Sequence, residues 1–258
     1  MYFLKDLNAI FQVSFLGLVQ GLTEFLPVSS SGHLVIFQHF LPLVNQQPVV
    51  LDMMLHLGSL LALLVYFWPK IKNIFADRKL IGCIILATII TVVIVFPFRK
   101  TVETSFSNPR FAGIMLVITG VILFLASRKK DNNKNKVDIK DSIMVGLGQA
   151  LTVLPGISRS GLTISTGIFS GLKSERAAEF SFLLAIPIIA GATVLEVPKL
   201  IQISSNLILI YLIGVLVSFV VSLFSLKLLM QILKLNQKKL VYFAYYCLFI
   251  GLTVILMV

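Results

Sequence analysis

The chain alternates long apolar runs with short polar or basic segments, and six runs are long enough to cross a bilayer as helices. A hydrocarbon core about 30 Å thick needs roughly 20 apolar residues in a helix. Overall, 57% of the residues are hydrophobic and 13% are charged, about half the charged fraction of a soluble domain. The pattern therefore predicts an all-α polytopic membrane protein. The six predicted spans are residues 49–68, 80–98, 110–127, 177–197, 207–230 and 240–258.

Two further apolar regions, residues 8–44 and 142–172, are interrupted near their middles. Pro27 followed by three serines breaks the first region, and Pro155-Gly156 breaks the second, because proline cannot continue a helix. Irregular backbone at membrane depth is tolerated only where it is buried in protein or lines a wet cavity. We therefore predict that each region is a re-entrant helical hairpin with a polar tip.

The two interrupted regions are related in sequence. Residues 17–32 and 146–161 align without gaps and share 8 of 16 positions. The first copy carries Glu24 where the second has an apolar residue, and the second carries Arg159 where the first has a serine. Each copy is followed by three spans, an odd number, so the second copy enters from the opposite face. This predicts two inverted-topology repeats whose broken helices meet near the midplane.

These boundaries divide the chain into two repeats and a linker. Repeat 1 is residues 1–127, with its hairpin at 8–44 and its spans at 49–68, 80–98 and 110–127. Residues 128–141 are predicted to be a cytoplasmic linker without chemistry. Repeat 2 is residues 142–258, with its hairpin at 142–172 and its spans at 177–197, 207–230 and 240–258.

The basic residues indicate the orientation of the chain. The net charge is +11, and 16 Lys and Arg residues lie in the predicted loops 69–79, 128–141, 173–176 and 227–239, against five on the other side. The positive-inside rule makes the first side cytoplasmic, so the mouth of the first hairpin faces outside. Because the bases lie in short loops between apolar runs, they indicate contact with membrane lipids, and no nucleic-acid partner is predicted.

Arg159 is the strongest single indication of function, because an arginine within a broken apolar region is costly in a bilayer. The tip at residues 155–161 surrounds it with hydroxyls and backbone N–H groups, which are typical of a phosphate-binding loop. The structural alternative is a salt bridge to Glu24. Both can hold, since an anion site without its ligand can be neutralised from within the protein.

Glu24 and Gln20 lie on one face of a helix if residues 9–26 are helical. Glu24 is a candidate metal ligand or general base, and its alternative role is the same pair with Arg159. Magnesium usually takes one or two carboxylates plus phosphate oxygens. Gln20 is neutral, which weakens the metal assignment to these two residues.

The segment after Pro27 supplies hydroxyls and an imidazole. The ordinary pKa of histidine suits His33 to proton transfer, although a satisfied core histidine is the alternative. Ser29, Ser30 and Ser31 are candidate donors or nucleophiles, whereas most such serines only cap the next helix.

Asp52 and His56 lie one turn apart near the start of the first span. They either support the site from behind or only serve the electrostatics of the helix start. Taken together, an arginine, a carboxylate, a histidine and hydroxyls at converging tips suit the cleavage of a phosphate ester or anhydride. Their place within the bilayer indicates a substrate with a lipid end.

Four segments of the chain closely resemble the undecaprenyl-diphosphate phosphatase family, also called the bacitracin-resistance family. They are QGLTEFLPVSSSGH at 20–33, LDMMLHLGSLLA at 51–62, LPGISRSGLTIS at 154–165 and EFSFLLAIP at 179–187. The resemblance extends over essentially the whole chain. It implies a bacterial cytoplasmic-membrane hydrolase that removes the terminal phosphate of undecaprenyl diphosphate at the outer face. The product is the carrier lipid of cell-wall precursors, and the activity contributes to bacitracin resistance.

The resemblance also implies roles for particular residues. The catalytic set is Glu24, Ser30, His33 and Arg159, assisted by a divalent cation, Mg²⁺ or Ca²⁺, on Glu24 and Gln20. Gln20 lies within the family's glutamate-or-glutamine pattern but leaves the metal only one carboxylate. The expected substrate-binding residues are Ser29, Ser31, Gly156, Ser158, Ser160, Gly161 and Thr163.

Several alternatives stay open from the sequence. Attack on phosphorus can come from Ser30 or from an activated water. A carrier that moves undecaprenyl phosphate across the bilayer is the rival function, alone or alongside hydrolysis, because inverted repeats with broken helices are also transporter architecture. A structural membrane subunit is a third class, and a homodimer is a candidate assembly.

Overall fold

The structure is a computed structural model that describes residues 2–41, 48–74, 76–98, 104–106, 108–130, 133–200 and 205–258. Within these ranges the chain is helical, and the one β-type feature is an isolated bridge between Lys134 and Leu172. The helices are α1 (Tyr2–Thr23), α2 (Ser30–Phe40), α3 (Pro48–Ile74), α4 (Arg78–Val95), α5 (Pro109–Arg128), α6 (Ile139–Leu151), α7 (Arg159–Phe169), α8 (Ser174–Leu200), α9 (Ser205–Leu235) and α10 (Leu240–Met257).

Six helices in the described part of the chain are long and apolar enough to cross a membrane. They coincide with the six predicted spans, which confirms an all-α, multi-pass membrane protein. The six are Val49–Ile74, Arg78–Phe98, Pro109–Arg128, Ser174–Pro198, Leu207–Leu235 and Gln237–Met257.

Small residues bring the spanning helices close together. Helix α1 packs on α9, α9 packs on α3, and α5 packs on α10. A Cβ added to Gly17 of α1 would lie 2.7 Å from the Gly214 carbonyl oxygen of α9. Such close approach is the usual basis of helix association in lipid. Serines add interhelical hydrogen bonds, with Ser225 Oγ donating to the Gly21 carbonyl at 2.6 Å.

The two predicted hairpins are each a pair of helices separated by an irregular break. The breaks lie between α1 and α2 and between α6 and α7. Helix α2 is capped by Ser29, whose Oγ accepts from Gly32 N at 3.2 Å, and α7 is capped by Ser158, whose Oγ accepts from Gly161 N at 3.0 Å. The repeat-related residues therefore do the same local work.

The packing of the hairpins is reciprocal: α1 of the first half packs on α9 of the second, and α6 of the second half packs on α4 of the first. Repeats related by a two-fold axis would give this exchange. The re-entrant path and the inversion of the second repeat concern placement in a bilayer and stay predictions. The end of the first predicted hairpin, near residue 44, lies outside the described residues.

The second hairpin begins inside the stretch that the sequence predicted as linker, residues 128–141. Helix α6 starts at Ile139 because Asp138 and Asp141 form a capping box, each carboxylate accepting from the backbone N–H of the other at 2.9–3.0 Å. The polar character that suggested a linker is thus partly helix capping. Hydrogen bonding from Lys134 holds the pKa of Asp138 at about 2.

Candidate active site

The two breaks meet, and an ion pair joins them. Glu24 lies in the first break, directly after α1, and Arg159 is the first residue of α7. Arg159 Nη2 donates to Glu24 Oε1 at 2.6 Å, with the side chains 14% and 5% exposed, respectively. The two repeats therefore contribute one charge each to the same point, as their divergence at these positions indicated.

Three further side chains lie close to the second carboxylate oxygen of Glu24, Oε2. Ser30 Oγ donates to Oε2 at 2.5 Å, and Gln20 Nε2 donates at 3.0 Å. His56 Nε2 lies 3.4 Å from the same oxygen. A hydroxyl donating at this distance to a carboxylate is the arrangement of a nucleophile beside its base.

One nitrogen of the Arg159 guanidinium makes no hydrogen bond within the described part of the protein. Its Nη1 is buried and has no hydrogen-bond partner among the described residues. Helices α2 and α7 both begin beside this point, with Ser30 and Arg159 as their first residues. Helix N-termini carry partial positive charge and unsatisfied N–H groups, so both hairpins direct anion-stabilising ends toward one place.

The two tips and the helices around them enclose a cavity of about 390 Å³. Its polar lining comes from both tips, from the adjoining ends of α1, α2, α6 and α7, and from α3, α4 and α8, and its remaining wall is apolar. The polar lining residues are Thr23, Glu24, Ser29, Ser30, Ser31, Asp52, His56, Thr91, Gln149, Thr152, Ser158, Arg159, Thr193 and Glu196. The apolar wall includes Val49, Met53, Val95, Phe106, Ile188 and Ile189.

Contacts with α5 fix the second tip, and the first tip contains a strained residue. Gly156 has φ +99°, and a Cβ there would collide with the Ala112 carbonyl, so only glycine suits this turn. Thr119 Oγ1 donates to the Gly156 carbonyl at 3.0 Å. Ser29, at φ 69°, is the non-glycine residue with positive φ in the described part of the chain, a strained conformation that often marks functional sites.

The predicted substrate-binding residues fall into two groups. Ser29, Ser31 and Ser158 line the cavity, although Ser29 and Ser158 use their hydroxyls as helix caps. The other four do not line the cavity and contact other parts of the protein instead; they are Gly156, Ser160, Gly161 and Thr163. Ser160 Oγ donates to the Leu26 carbonyl at 3.2 Å, and Thr163 Oγ1 lies 2.6 Å from Ser181 Oγ. These four residues build the tip instead of lining the cavity.

His33, predicted to be catalytic, does not line the cavity. Its Nδ1 lies 2.8 Å from the Ser29 carbonyl and its Nε2 2.8 Å from Tyr246 Oη. A carbonyl only accepts, so Nδ1 carries a proton, and Nε2 of the neutral ring then accepts from the tyrosine hydroxyl. Both ring nitrogens of His33 thus have partners within the protein, behind the strained Ser29 turn, and its catalytic role stays a prediction.

His56 is the imidazole that the structure brings to the carboxylate. Its Nδ1 lies 2.7 Å from the Asp52 carbonyl, and its Nε2 faces Glu24. Asp52 also lines the cavity, with Oδ1 accepting from Gln38 Nε2 at 2.6 Å. The spacing of Asp52 and His56 in the sequence had indicated either a supporting role at the site or only the electrostatics of the helix start. Gln149 and Thr91, which also line the cavity, received no role from the sequence.

The donor set at Glu24 suits a divalent ion that is held largely by a substrate. No group of three or more His, Cys, Asp and Glu residues in the described ranges could hold a metal by itself. Gln20 Oε1, however, is buried without a partner next to Glu24. One carboxylate and one amide oxygen, completed by phosphate oxygens, fit the ligation of Mg²⁺.

The fold and cavity together define a multi-pass, all-helical membrane protein with a buried polar site that contains an arginine and a glutamate. Residues 13–253 match the family model for bacitracin resistance protein BacA, and the chain belongs to this family. It is also similar to curated relatives named undecaprenyl-diphosphatase. That of Carboxydothermus hydrogenoformans is 41% identical over 96% of this chain and 97% of its own length. Those of Syntrophotalea carbinolica and Halothermothrix orenii are 39% and 36% identical, covering 92% and 96% of this chain and 94% and 98% of their own lengths.

Proposed function

We propose that this protein hydrolyses undecaprenyl diphosphate to undecaprenyl phosphate and inorganic phosphate within the cell membrane. Family membership and the shared name of its relatives support the substrate and the reaction. The observation that carries the assignment is the Ser30–Glu24–Arg159 constellation at the meeting point of two helix N-termini. It combines a hydroxyl, a proton acceptor and a cation with a free donor.

Arg159 binds the terminal phosphate. Its Nη1 is free to donate to one phosphate oxygen, while Nη2 exchanges part of its contact with Glu24 for a second. Planar guanidinium groups suit such two-point recognition of phosphate. The N-terminal ends of α2 and α7 add partial positive charge. The resting ion pair thus occupies the position of the substrate phosphate.

Ser30 attacks and Glu24 takes its proton. The Ser30 hydroxyl already donates to Glu24 Oε2 at 2.5 Å. As its oxygen bonds to the terminal phosphorus, the bond from that phosphorus to the bridging oxygen breaks and undecaprenyl phosphate leaves. Arg159 stabilises the charge on the transferring phosphoryl group. Water then releases phosphate from Ser30. Direct attack by water is the alternative, which would leave Ser30 as a donor to substrate.

The two histidines have different parts in this proposal. The resemblance gives His33 a catalytic role, whereas its contacts favour positioning: it holds the Ser29 carbonyl and so the turn that presents Ser30. His56 lies against Glu24 Oε2 and fixes the orientation of that carboxylate. Asp52 supports His56 through its backbone carbonyl.

A divalent cation, Mg²⁺ or Ca²⁺, is a further part of the proposal. Glu24 and Gln20 Oε1 would hold it together with phosphate oxygens. When bound, the cation would neutralise charge on the diphosphate and its leaving group.

The surroundings of the cavity suit a lipid substrate. Valine, methionine, isoleucine and phenylalanine side chains form its apolar wall, where the first isoprene units fit beside the polar diphosphate end. The distribution of basic residues supports an orientation in which the cavity opens to the outer side. Recycling of the carrier lipid and bacitracin resistance follow from this activity.

Phosphate release from undecaprenyl diphosphate by purified protein in detergent tests the proposal. We expect release by the wild type and a loss of about a hundredfold or more in Arg159→Ala, because a charge-stabilising donor is removed. Arg110→Ala is the matched control, since Arg110 is an exposed arginine at the start of α5. A parallel reaction with chelator tests the cation.

The same assay separates hydrolysis from transport, because movement between compartments has no meaning in detergent. A folded wild type that releases no phosphate would overturn the proposed function. Full activity in Arg159→Ala would overturn the assigned site.

A further inference from the structure

Gln149 lies on the cavity wall contributed by the second repeat and has no part in the reaction described so far. It is 2% exposed and lines the cavity together with Thr91 and Arg159. In the alignment of the two repeats it corresponds to Gln20. The two glutamines differ in their contacts. Gln20 donates to Glu24, whereas the copy that contains Gln149 has Val153 at the position equivalent to Glu24, and Gln149 donates to Thr91.

The orientation of the Gln149 amide is fixed by Thr91. Gln149 Nε2 lies 3.1 Å from Thr91 Oγ1, and that hydroxyl lies 2.9 Å from the Ala87 carbonyl and 3.2 Å from the Gly146 carbonyl. Carbonyls only accept, so the Thr91 proton is directed to them and its oxygen must accept from Gln149. A flipped amide would place two acceptors against each other. Oε1 is therefore the unbonded atom.

Gln149 Oε1 is buried and has no hydrogen-bond donor among the described residues. A buried acceptor without a donor is destabilising, and this one belongs to a side chain that lines a cavity. A fully ionised phosphate has no proton to donate to Gln149 Oε1, and Arg159 in this proposal donates to the substrate phosphate. Water supplies a donor and carries the oxygen that hydrolysis needs.

We propose that Gln149 Oε1 binds and orients the water that attacks phosphorus. This inference rests on the proposed function and adds a positioning residue to it. In the release step, the water oxygen bonds to the phosphorus of phospho-Ser30 and the bond from phosphorus to Ser30 Oγ breaks. One water proton passes through Glu24 to Ser30 Oγ, and the other stays on the departing phosphate. In direct attack, the same water faces the terminal phosphorus of the substrate, and its lost proton goes to Glu24. Glutamines that orient water in this way are known in phosphoryl transfer.

The test removes the acceptor while keeping the volume of the side chain. Gln149→Met is compared with Gln12→Met, because Gln12 is also a buried glutamine with an unpartnered Oε1 but does not line the cavity. Undecaprenyl diphosphate is hydrolysed in detergent with methanol present as a competing acceptor. Undecaprenyl phosphate, inorganic phosphate and methyl phosphate are measured.

For Gln149→Met we expect kcat for hydrolysis to fall about tenfold, the rate equivalent of one lost hydrogen bond, with KM within about twofold. The ratio of methyl phosphate to inorganic phosphate rises, because methanol does not depend on the lost contact. Gln12→Met keeps the wild-type kcat and product ratio. A merely structural role would lower both products together.

An unchanged product ratio would overturn the proposal, as would an equal effect in Gln12→Met. A loss confined to KM would also overturn it and would assign Gln149 to a protonated phosphate oxygen of the substrate. If Gln149→Met does not fold, Thr91→Val provides the same test, since it releases the amide and should shift the ratio in the same direction. Failure of the wild type to hydrolyse at all would count against the proposed function and not against this inference.

Discussion

Replacing Glu24 by glutamine tests whether the carboxylate and the substrate phosphate compete for Arg159. The two groups are in contact at 2.6 Å and almost fully buried. Charges about 4 Å apart attract by about 4 kcal/mol at an effective dielectric constant near 20. If phosphate binding disrupts about a third of this attraction between Arg159 and Glu24, it costs roughly 1.4 kcal/mol. Removing that cost by making the carboxylate neutral should tighten phosphate binding about tenfold.

The expected result is a split between binding and turnover. Glu24→Gln should bind inorganic phosphate about tenfold more tightly than the wild type, while kcat falls by about a hundredfold or more because Ser30 loses its proton acceptor. Phosphate affinity is measured by calorimetry in detergent, and kcat by phosphate release. Glu175→Gln is the control, since it makes the same charge change at a partly exposed carboxylate beside Lys173.

Weaker phosphate binding in Glu24→Gln would refute the idea that the resting ion pair occupies the phosphate position. An equal gain of affinity in Glu175→Gln would show that net charge alone is responsible. An unchanged kcat would remove Glu24 from the proton transfer.

Two further variants test the neighbouring residues. Ser30→Ala should abolish turnover if Ser30 is the nucleophile, whereas Ser165→Ala should keep it, because Ser165 is a buried serine whose hydroxyl has no partner in the described structure. Rapid quenching should then show acid-stable phosphate on the wild type and none on Ser30→Ala, and full turnover in Ser30→Ala would exclude a covalent step. Tyr246→Phe should lower kcat less than about tenfold and leave the pH profile of kcat unchanged. The reason is that His33 loses one hydrogen bond but keeps its hydrogen bond to the Ser29 carbonyl. A displaced pH profile would instead assign proton transfer to His33.

The sequence was sufficient for the parts of the fold and site that depend on hydrophobic length and on the repeat. Six apolar runs predicted six spanning helices because lipid leaves the backbone few alternatives to a helix. A salt bridge between Glu24 and Arg159 was one of the alternatives that the sequence offered for two costly charges at equivalent breaks. Neither conclusion needed knowledge of side-chain packing.

Side-chain direction at the tips could not be predicted in the same way. His33 follows the cap residue Ser29 by four positions, so its ring lies over the Ser29 carbonyl, one turn behind Ser30, and contacts Tyr246 of α10. That contact depends on how α10 packs, which no local pattern specifies. His56 reaches Glu24 for the same reason, because its approach depends on how α3 packs beside the first tip.

The ion pair that joins the tips also constrains how the protein is made. Glu24 and Arg159 are 135 residues apart, so the carboxylate enters the membrane well before its partner has been synthesised. Until α7 arrives, Glu24 has only neutral or weakly basic neighbours at a depth where a lone charge is costly. We therefore expect the first half alone to be less stable than the whole chain, because the second hairpin supplies the partner of Glu24. A chain that stops before Ile139 would keep this acid without its arginine.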